Sequence, residues 1–263
     1  MTADLVLCEK SEQVATLTLN SPASRNALSL QLLGALSANL RELAAQDDIR
    51  VVILQAEGPA FCAGHDLKEL TAHRNDPDRG RAFFETTMRA CSSVMQQIVS
   101  LPIPVIAAVD EMATAAGCQL VASCDLAVAG PHARFCTPGV DIGLFCSTPA
   151  VALSRNVAPK HAMEMLLTGV PIGAEAALRI GLVNRVEVEG ARTGARTLAE
   201  EIARKSPQAI RFGKRAFYAQ REKPLAEAYE MASAVMAENM LAEDAKEGIA
   251  AFLEKRAPHW PEK

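Results

Sequence analysis

Two short segments hold the residues best placed for chemistry: Phe61-Cys-Ala-Gly-His-Asp-Leu-Lys68 and Ala113-Thr-Ala-Ala-Gly-Cys-Gln-Leu120. Each is a tight turn of small residues that follows an apolar, strand-like run and leads into a helical pattern. Backbone N–H groups offered by such turns can hold a developing enolate oxygen, and the second turn adds the positive end of a helix dipole. Together they read as two halves of one oxyanion hole. Titratable side chains nearby are few. His65 has the right pKa range for proton transfer, unless its side chain only lines a pocket. Asp66 and Asp125 stand beside helix starts and turns, where capping and loop fixing are the ordinary uses. Gln119 can hold a water or a carbonyl by hydrogen bonds without moving a proton. Cys146 and Ser147 have no evident activating base and read as packing residues.

The elements that position these turns follow from hydrophobic periodicity. Val14 to Leu19 alternates as a strand, and residues 29–46 have helical apolar spacing with Ser29 as N-cap. Val51 to Ala56 is a buried strand, which completes a βαβ unit. After the first turn, residues 78–100 form an amphipathic helix stopped by Pro102 and Pro104, and Val105 to Val109 is the next strand. The second turn then leads into a helix from Ala115, a strand at Leu126 to Ala129 and an extended piece at Arg134 to Thr137. Strands alternating with helices imply an α/β sheet with its ligand site at the strand ends. Beyond Pro159 the pattern is helical at 160–167, 173–179, 190–205, 207–221 and 224–255, with a short strand near residues 181–186. We divide the chain into a core over residues 1–200 and a helical region over residues 201–263. The helical region carries apolar faces (Met231, Val235, Met236, Met240, Leu241), which pack on the parent domain or on other copies of the chain.

A formal net charge of -4 over 263 residues, with no extended Lys/Arg cluster, argues against a nucleic-acid partner. The apolar stretch from Leu101 to Val121 is broken by Pro102, Pro104, Asp110, Glu111 and Gln119, so it is not a plain membrane span. The start at Met1 lacks a basic and apolar leader. The expected location is the cytoplasm, although a processed mitochondrial-matrix protein would look the same. Seven cysteines without a Cys-x-x-Cys pair suggest neither a disulfide framework nor a metal site. They read as small buried hydrophobes.

The order and spacing of several motifs resemble the crotonase (enoyl-CoA hydratase/isomerase) superfamily over nearly the whole chain. They are Ser24-Arg-Asn-Ala-Leu28, the two turns, Ser123-Cys-Asp125, Asp141-Ile-Gly143, Ala177-Leu-Arg-Ile-Gly-Leu-Val183 and the ending from Glu247 to Arg256. The run Gly139 to Thr148 is most similar to the enoyl-CoA hydratase domain-containing protein 3 group. The resemblance implies a crotonase-like spiral of ββα repeats with a C-terminal α-helical trimerisation region, giving a homotrimer or a dimer of trimers. It implies an acyl-CoA thioester ligand, with coenzyme A as part of the substrate and no separate cofactor or metal. By the same resemblance the oxyanion donors are the N–H groups of His65 and Ala116. Arg25, Ala63, His65, Asp66 and Leu67 lie along the CoA path, and Lys255 approaches a phosphate, from a neighbouring subunit or otherwise.

This chain departs from the hydratase pattern where it matters for chemistry. The two positions that carry glutamates in hydratases hold Gln119 and Gly139. Asp141 would share the face of Gly139 on a strand and point elsewhere in a loop. Ala115 and Ala116 replace glycines, which is harmless at a helix start and strained where φ is positive. Hydration needs an acid and a base, and losing a positioned one typically costs about 10²- to 10⁴-fold in rate. An oxyanion donor is still worth roughly 2.7–4 kcal/mol. The expectation is therefore a CoA-thioester protein of the hydratase/isomerase type with weak or absent hydration. The alternatives are a non-catalytic acyl-CoA binder and a different enolate reaction: isomerisation, decarboxylation or thioester hydrolysis.

Overall fold

The computed structural model describes residues 4–260; the reading of the extreme N-terminus at residues 1–3 lies outside them. The chain begins with β1 (Val6–Ser11), β2 (Val14–Leu19), α1 (Leu30–Ala44), β3 (Val51–Ala56), β4 (Ala60–Cys62), α2 (Leu67–Ala72) and α3 (Arg81–Ser100). It continues with β5 (Val105–Val109), β6 (Met112–Thr114), α4 (Ala116–Ser123), β7 (Leu126–Ala129), β8 (Arg134–Cys136), α5 (Ser147–Asn156) and α6 (Pro159–Thr168). The last part holds β9 (Ile172–Gly173), α7 (Ala174–Arg179), β10 (Arg185–Val186), α8 (Ala191–Ala203), α9 (Pro207–Gln220), α10 (Leu225–Met240) and α11 (Glu243–Glu254).

Two sheets stack these repeats. The larger has the order β1-β2-β3-β5-β7-β10 and the smaller β4-β6-β8-β9. From β2 to β10 the larger sheet is parallel, as are β4, β6 and β8 in the smaller. Each repeat thus hands the chain from one sheet to the other and then into a helix. A parallel strand covered on both faces must be apolar throughout, and β3 shows it. Val52 and Leu54 join the core under α1 and α3, while Val51 and Ile53 pack with Ala191, Ala195, Leu198 and Ala199 of α8. Alanines four apart along α8 let that helix lie close against the sheet.

Several expected elements differ from those observed. Residues 224–255 are two helices, because the chain turns at Leu241 and Ala242 and restarts as α11. The long amphipathic helix starts at Arg81; Asp78 instead caps it through the N–H groups of Gly80 and Ala82. The strand expected over 181–186 contracts to Arg185–Val186. Strands β4, β6 and β9, three residues or fewer, are too short to show a period of their own. The C-terminal helices are tied back to the core. Ser206 caps α9 through Ala209 N–H at 2.9 Å and meets the buried Asp244 carboxylate of α11 at 2.5 Å. Trp260 donates to the Arg204 carbonyl at 2.8 Å. Met236, Met240, Leu241, Phe252 and Leu253 nevertheless remain exposed.

Candidate active site

The first turn follows β4 and the second follows β6, and these strands are hydrogen-bonded neighbours. Topology therefore brings together two segments about fifty residues apart in sequence. Contact between them is tight: a Cβ on Gly64 would lie 3.0 Å from Ala115 Cβ and 3.4 Å from Ala116 N. Gly64 has φ +87, which only glycine adopts freely. Gly117 is required for a different reason, since a Cβ there would meet the Cys62 carbonyl. Among the described residues no group accepts a hydrogen bond from the N–H of His65 or of Ala116. Ala116 is the first residue of α4, where the helix offers its N–H no partner.

Ala115 holds the second turn in place at a cost. Its φ of 51 and ψ of -117 belong to a region that an L side chain occupies with roughly 1–3 kcal/mol of strain. The strain foreseen for an alanine here is thus present at Ala115, whereas Ala116 is already helical. An Ala115→Gly variant is expected to gain about 1 kcal/mol in a denaturant titration, after allowing for the greater freedom of glycine in the unfolded chain. A loss of stability would show that the Ala115 methyl packs well enough to outweigh its backbone.

The loop before α1 is pinned to the first turn. Leu28 donates to the Gly64 carbonyl at 2.7 Å and Ala63 to the Arg25 carbonyl at 3.0 Å. Glu69 accepts from Leu30 N–H at 3.1 Å, and Ser29 caps α1 through Leu32. Asn26, buried, donates to the carbonyls of Glu57 and Ala60 and accepts from Ser21 N–H. Asn26 and Glu69 were not foreseen as site builders; the asparagine between Arg25 and Ala27 was a legible sign of a fixed loop. Arg25 itself is exposed with φ 55, and among the described residues no protein donor reaches the Ala63 carbonyl. Asp66 caps α2 through the N–H groups of Lys68 and Glu69, and Leu67 beside it is half exposed.

His65 has both ring nitrogens buried without a partner. Burial lowers its pKa from the ordinary 6.5, a shift partly opposed by the Leu28 backbone, so the ring is neutral at pH 7. A histidine held neutral stabilises the fold fully above its unfolded pKa and less as pH falls towards the folded value. The stability difference between the parent and His65→Leu should therefore change in the parent's disfavour as pH falls from about 6.5. A difference flat across that range would mean that the ring reaches water.

Gln119 lies one helical turn beyond Ala116. It is 4% exposed, its Oε1 has no partner, and it lines a cavity of about 650 Å³. Gly139 is buried on a helical turn, Pro138–Ile142, not on a strand. Asp141 accordingly does not share its face: it is exposed, with a carboxylate oxygen directed at Gly169. A Cβ on Gly139 would stand 2.7 Å from the Leu144 carbonyl oxygen and 2.8 Å from Cys146 Sγ. Six of the seven cysteines are buried, as expected, and Cys8 is exposed. Burial pushes the Cys62 and Cys91 thiols up to about 12 and raises Cys146 as well. None is an activated nucleophile. Lys255 ends α11, whose principal neighbours within the chain are α9 and α10.

Asp125 does more than fix a loop. Its carboxylate accepts from Val105 N–H at 2.7 Å, from Lys214 Nζ at 2.6 Å and from Tyr218 Oη at 2.9 Å. Lys214 also donates to the carbonyls of Ile98 and Ile103, so its ammonium finds three acceptors. Burial lowers the Lys214 pKa, against the pull of Asp125, and raises that of Tyr218. This cluster docks α9 on the core beside the cavity that Gln119 and Tyr218 both line.

Parallel ββα repeats wound into two stacked sheets, with paired turns at adjacent strand ends, define the crotonase class. The enoyl-CoA hydratase/isomerase family model matches residues 9–263, and the chain belongs to that family. Enoyl-CoA hydratase domain-containing protein 3, mitochondrial, of Rattus norvegicus is 46% identical over 97% of this chain and 84% of that protein. The crystal structure of the human enoyl coenzyme A hydratase domain-containing protein 3 aligns with TM-score 0.92 at 44% identity, over 97% of this chain and all of that one. An enoyl-CoA hydratase crystal structure from Mycobacterium smegmatis gives TM-score 0.93 at 48% identity, over 97% of this chain and 98% of that one. No helix among the described residues is long and apolar enough to cross a membrane.

Proposed function

We propose that this protein binds an acyl-CoA thioester and stabilises its enolate with the N–H groups of His65 and Ala116, while hydrating enoyl-CoA poorly or not at all. The observation that carries the reading is the pair of unpartnered backbone donors on turns in direct contact. Donors aimed at a developing oxyanion need no side chain and no reorganisation. The exposed Arg25 and the undonated Ala63 carbonyl, joined by the bond from Ala63 N–H to the Arg25 carbonyl, suit the CoA end of the ligand.

The doubt about hydration rests on what surrounds the acyl carbons. A buried amide at 119 and a glycine at 139 supply no proton, the nearest carboxylate in sequence, Asp141, points elsewhere, and no side chain is hydrogen-bonded to neutral His65 to activate it. Binding without turnover therefore ranks above an isomerisation, decarboxylation or hydrolysis that would need a proton carrier. For the exposed apolar residues of α10 and α11 we propose burial between copies in a trimer, alone or paired, with Lys255 at the subunit boundary. The compartment we propose is aqueous, cytoplasmic or the mitochondrial matrix, and the naming of the rat relative supports the second.

The test follows loss of enoyl absorbance when the protein meets crotonyl-CoA beside an active hydratase, with calorimetric titration of the same ligand. Binding with turnover near the protein-free rate is expected. Rapid turnover would require a proton carrier other than Gln119, Gly139, Asp141 or His65, and no binding would end the acyl-CoA reading.

A further inference from the structure

The cavity lined by Gln119 has a direction. Its near end is Gln119, one turn along α4 from the Ala116 N–H. Its far end is bounded by α9 and the end of α5 and opens to solvent there: Asn156 of α5 donates to the Ala122 carbonyl at 2.7 Å and Lys214 holds α9 to the end of α3. From Ala116 to Ser123 the helix rises about 10 Å. Between the two ends Met95 and Val99 of α3, Ala122 of α4 and Val151 and Ala152 of α5 form an apolar strip, with Ser92, Gln96 and Thr148 among the polar residues beside it. Ala116 shares a face of α4 with Gln119 and Ser123, so a group held at its N–H lies beside the Gln119 end of this passage.

The far end is charged. Arg155, Arg221 and Glu222, all exposed, line its mouth together with Tyr218. Arg155 lies 3.5 Å from Glu222, whereas Arg221 donates to the Arg155 carbonyl and stacks over Phe217 at 5.6 Å, with no carboxylate in ion-pair reach among the described residues. Asp125, the other carboxylate behind this wall, is taken by Lys214. Two guanidinium groups against one carboxylate leave one positive charge at the end of the passage. Guanidinium pairs with carboxylate through short, charge-assisted and often bidentate hydrogen bonds.

We propose that the acyl group accepted here carries a second carboxylate at its far end, so that the ligand is the CoA monothioester of a dicarboxylic acid. This rests on the acyl-CoA reading above and names its ligand class. The thioester sits at the paired N–H groups, the methylenes run past Met95 and Val151, and the terminal carboxylate meets Arg221 and Arg155.

The test is calorimetric titration of the full chain with octanoyl-CoA and suberoyl-CoA, which share a chain length and differ in the terminal carboxylate. Suberoyl-CoA is expected to bind about three- to fivefold tighter, the upper range for an exposed ion pair. In Arg221→Gln the ratio of the two affinities, both measured in the variant, should fall to less than about twofold. Equal or tighter binding of octanoyl-CoA by the parent overturns the assignment, as does an advantage that survives in the variant. If both thioesters bind equally, only the terminal-carboxylate assignment fails. If neither binds, the acyl-CoA reading fails with it. The parent comparison stands alone should the variant not fold.

Discussion

A Gln119→Glu variant is expected to fold like the parent and to hydrate crotonyl-CoA on the order of 10²-fold faster or more, the scale of a positioned acid-base group. Glutamate has the size of glutamine, and Oε1 of Gln119 already lacks a partner, so the exchange breaks no side-chain acceptor bond that the fold contains. Burial at 4% exposure disfavours the charged form and would raise the new carboxyl's pKa. Two consequences follow in sign. The ionised base grows as pH rises, so the gained rate should climb through neutral pH. The folded state would hold its proton more tightly than the unfolded chain, so the variant's stability relative to the parent should fall as pH rises above about 4.3. An enoyl-absorbance assay over pH, with denaturant curves at the same values, measures both. A folded variant that binds crotonyl-CoA and shows no gain would place residue 119 away from the reacting carbons.

The same substitution does not work at Gly139. A Cβ there would meet the Leu144 carbonyl and Cys146 Sγ, and overpacking of that kind typically costs about 1–3 kcal/mol. Residues 144 and 146 occupy the place where a longer side chain would start. Positions 119 and 139 are therefore not equivalent: one holds an amide facing a cavity, the other a glycine against backbone and thiol.

Much of this arrangement was legible because it repeats. Runs such as Val51 to Leu54 and Val105 to Val109 are short, rich in β-branched residues and apolar throughout, as a strand buried on both faces must be. The two turns could be found because small residues sat between a strand pattern and a helix pattern, and the spiral then makes their strands neighbours. Side-chain placement was less legible. Asp141 depended on whether residues 138–142 were extended or helical, a choice made by the Gly143 turn at φ +77 and the bond from Leu144 N–H to Gly139. The break at Leu241 escaped because both sides of it are helix-forming. Lys214 and Tyr218 stand four apart on one face of α9, but nothing local in the sequence says that they reach Asp125, some ninety residues earlier.

That long-range contact carries the largest expected loss of stability. Lys214→Met should destabilise the fold by about 3–5 kcal/mol, the typical result of removing one partner from a buried ion pair. Side-chain exposures of 7% for Lys214 and 13% for Asp125 leave little water to take over. The variant strands Asp125 with only Tyr218 and the Val105 N–H, and frees the carbonyls of Ile98 and Ile103 from their shared donor. Adding Asp125→Asn removes the stranded charge, so the double variant should recover part of the loss even though two native groups are gone. Thermal and urea unfolding of parent, singles and double closes the cycle. The function should follow the anchor: α9 supplies Tyr218 to the cavity wall, so loosening it should weaken acyl-CoA binding even where the chain stays folded. Additive losses would mean that Lys214 merely packs its stem, and that the end wall of the cavity is held by something other than this ion pair.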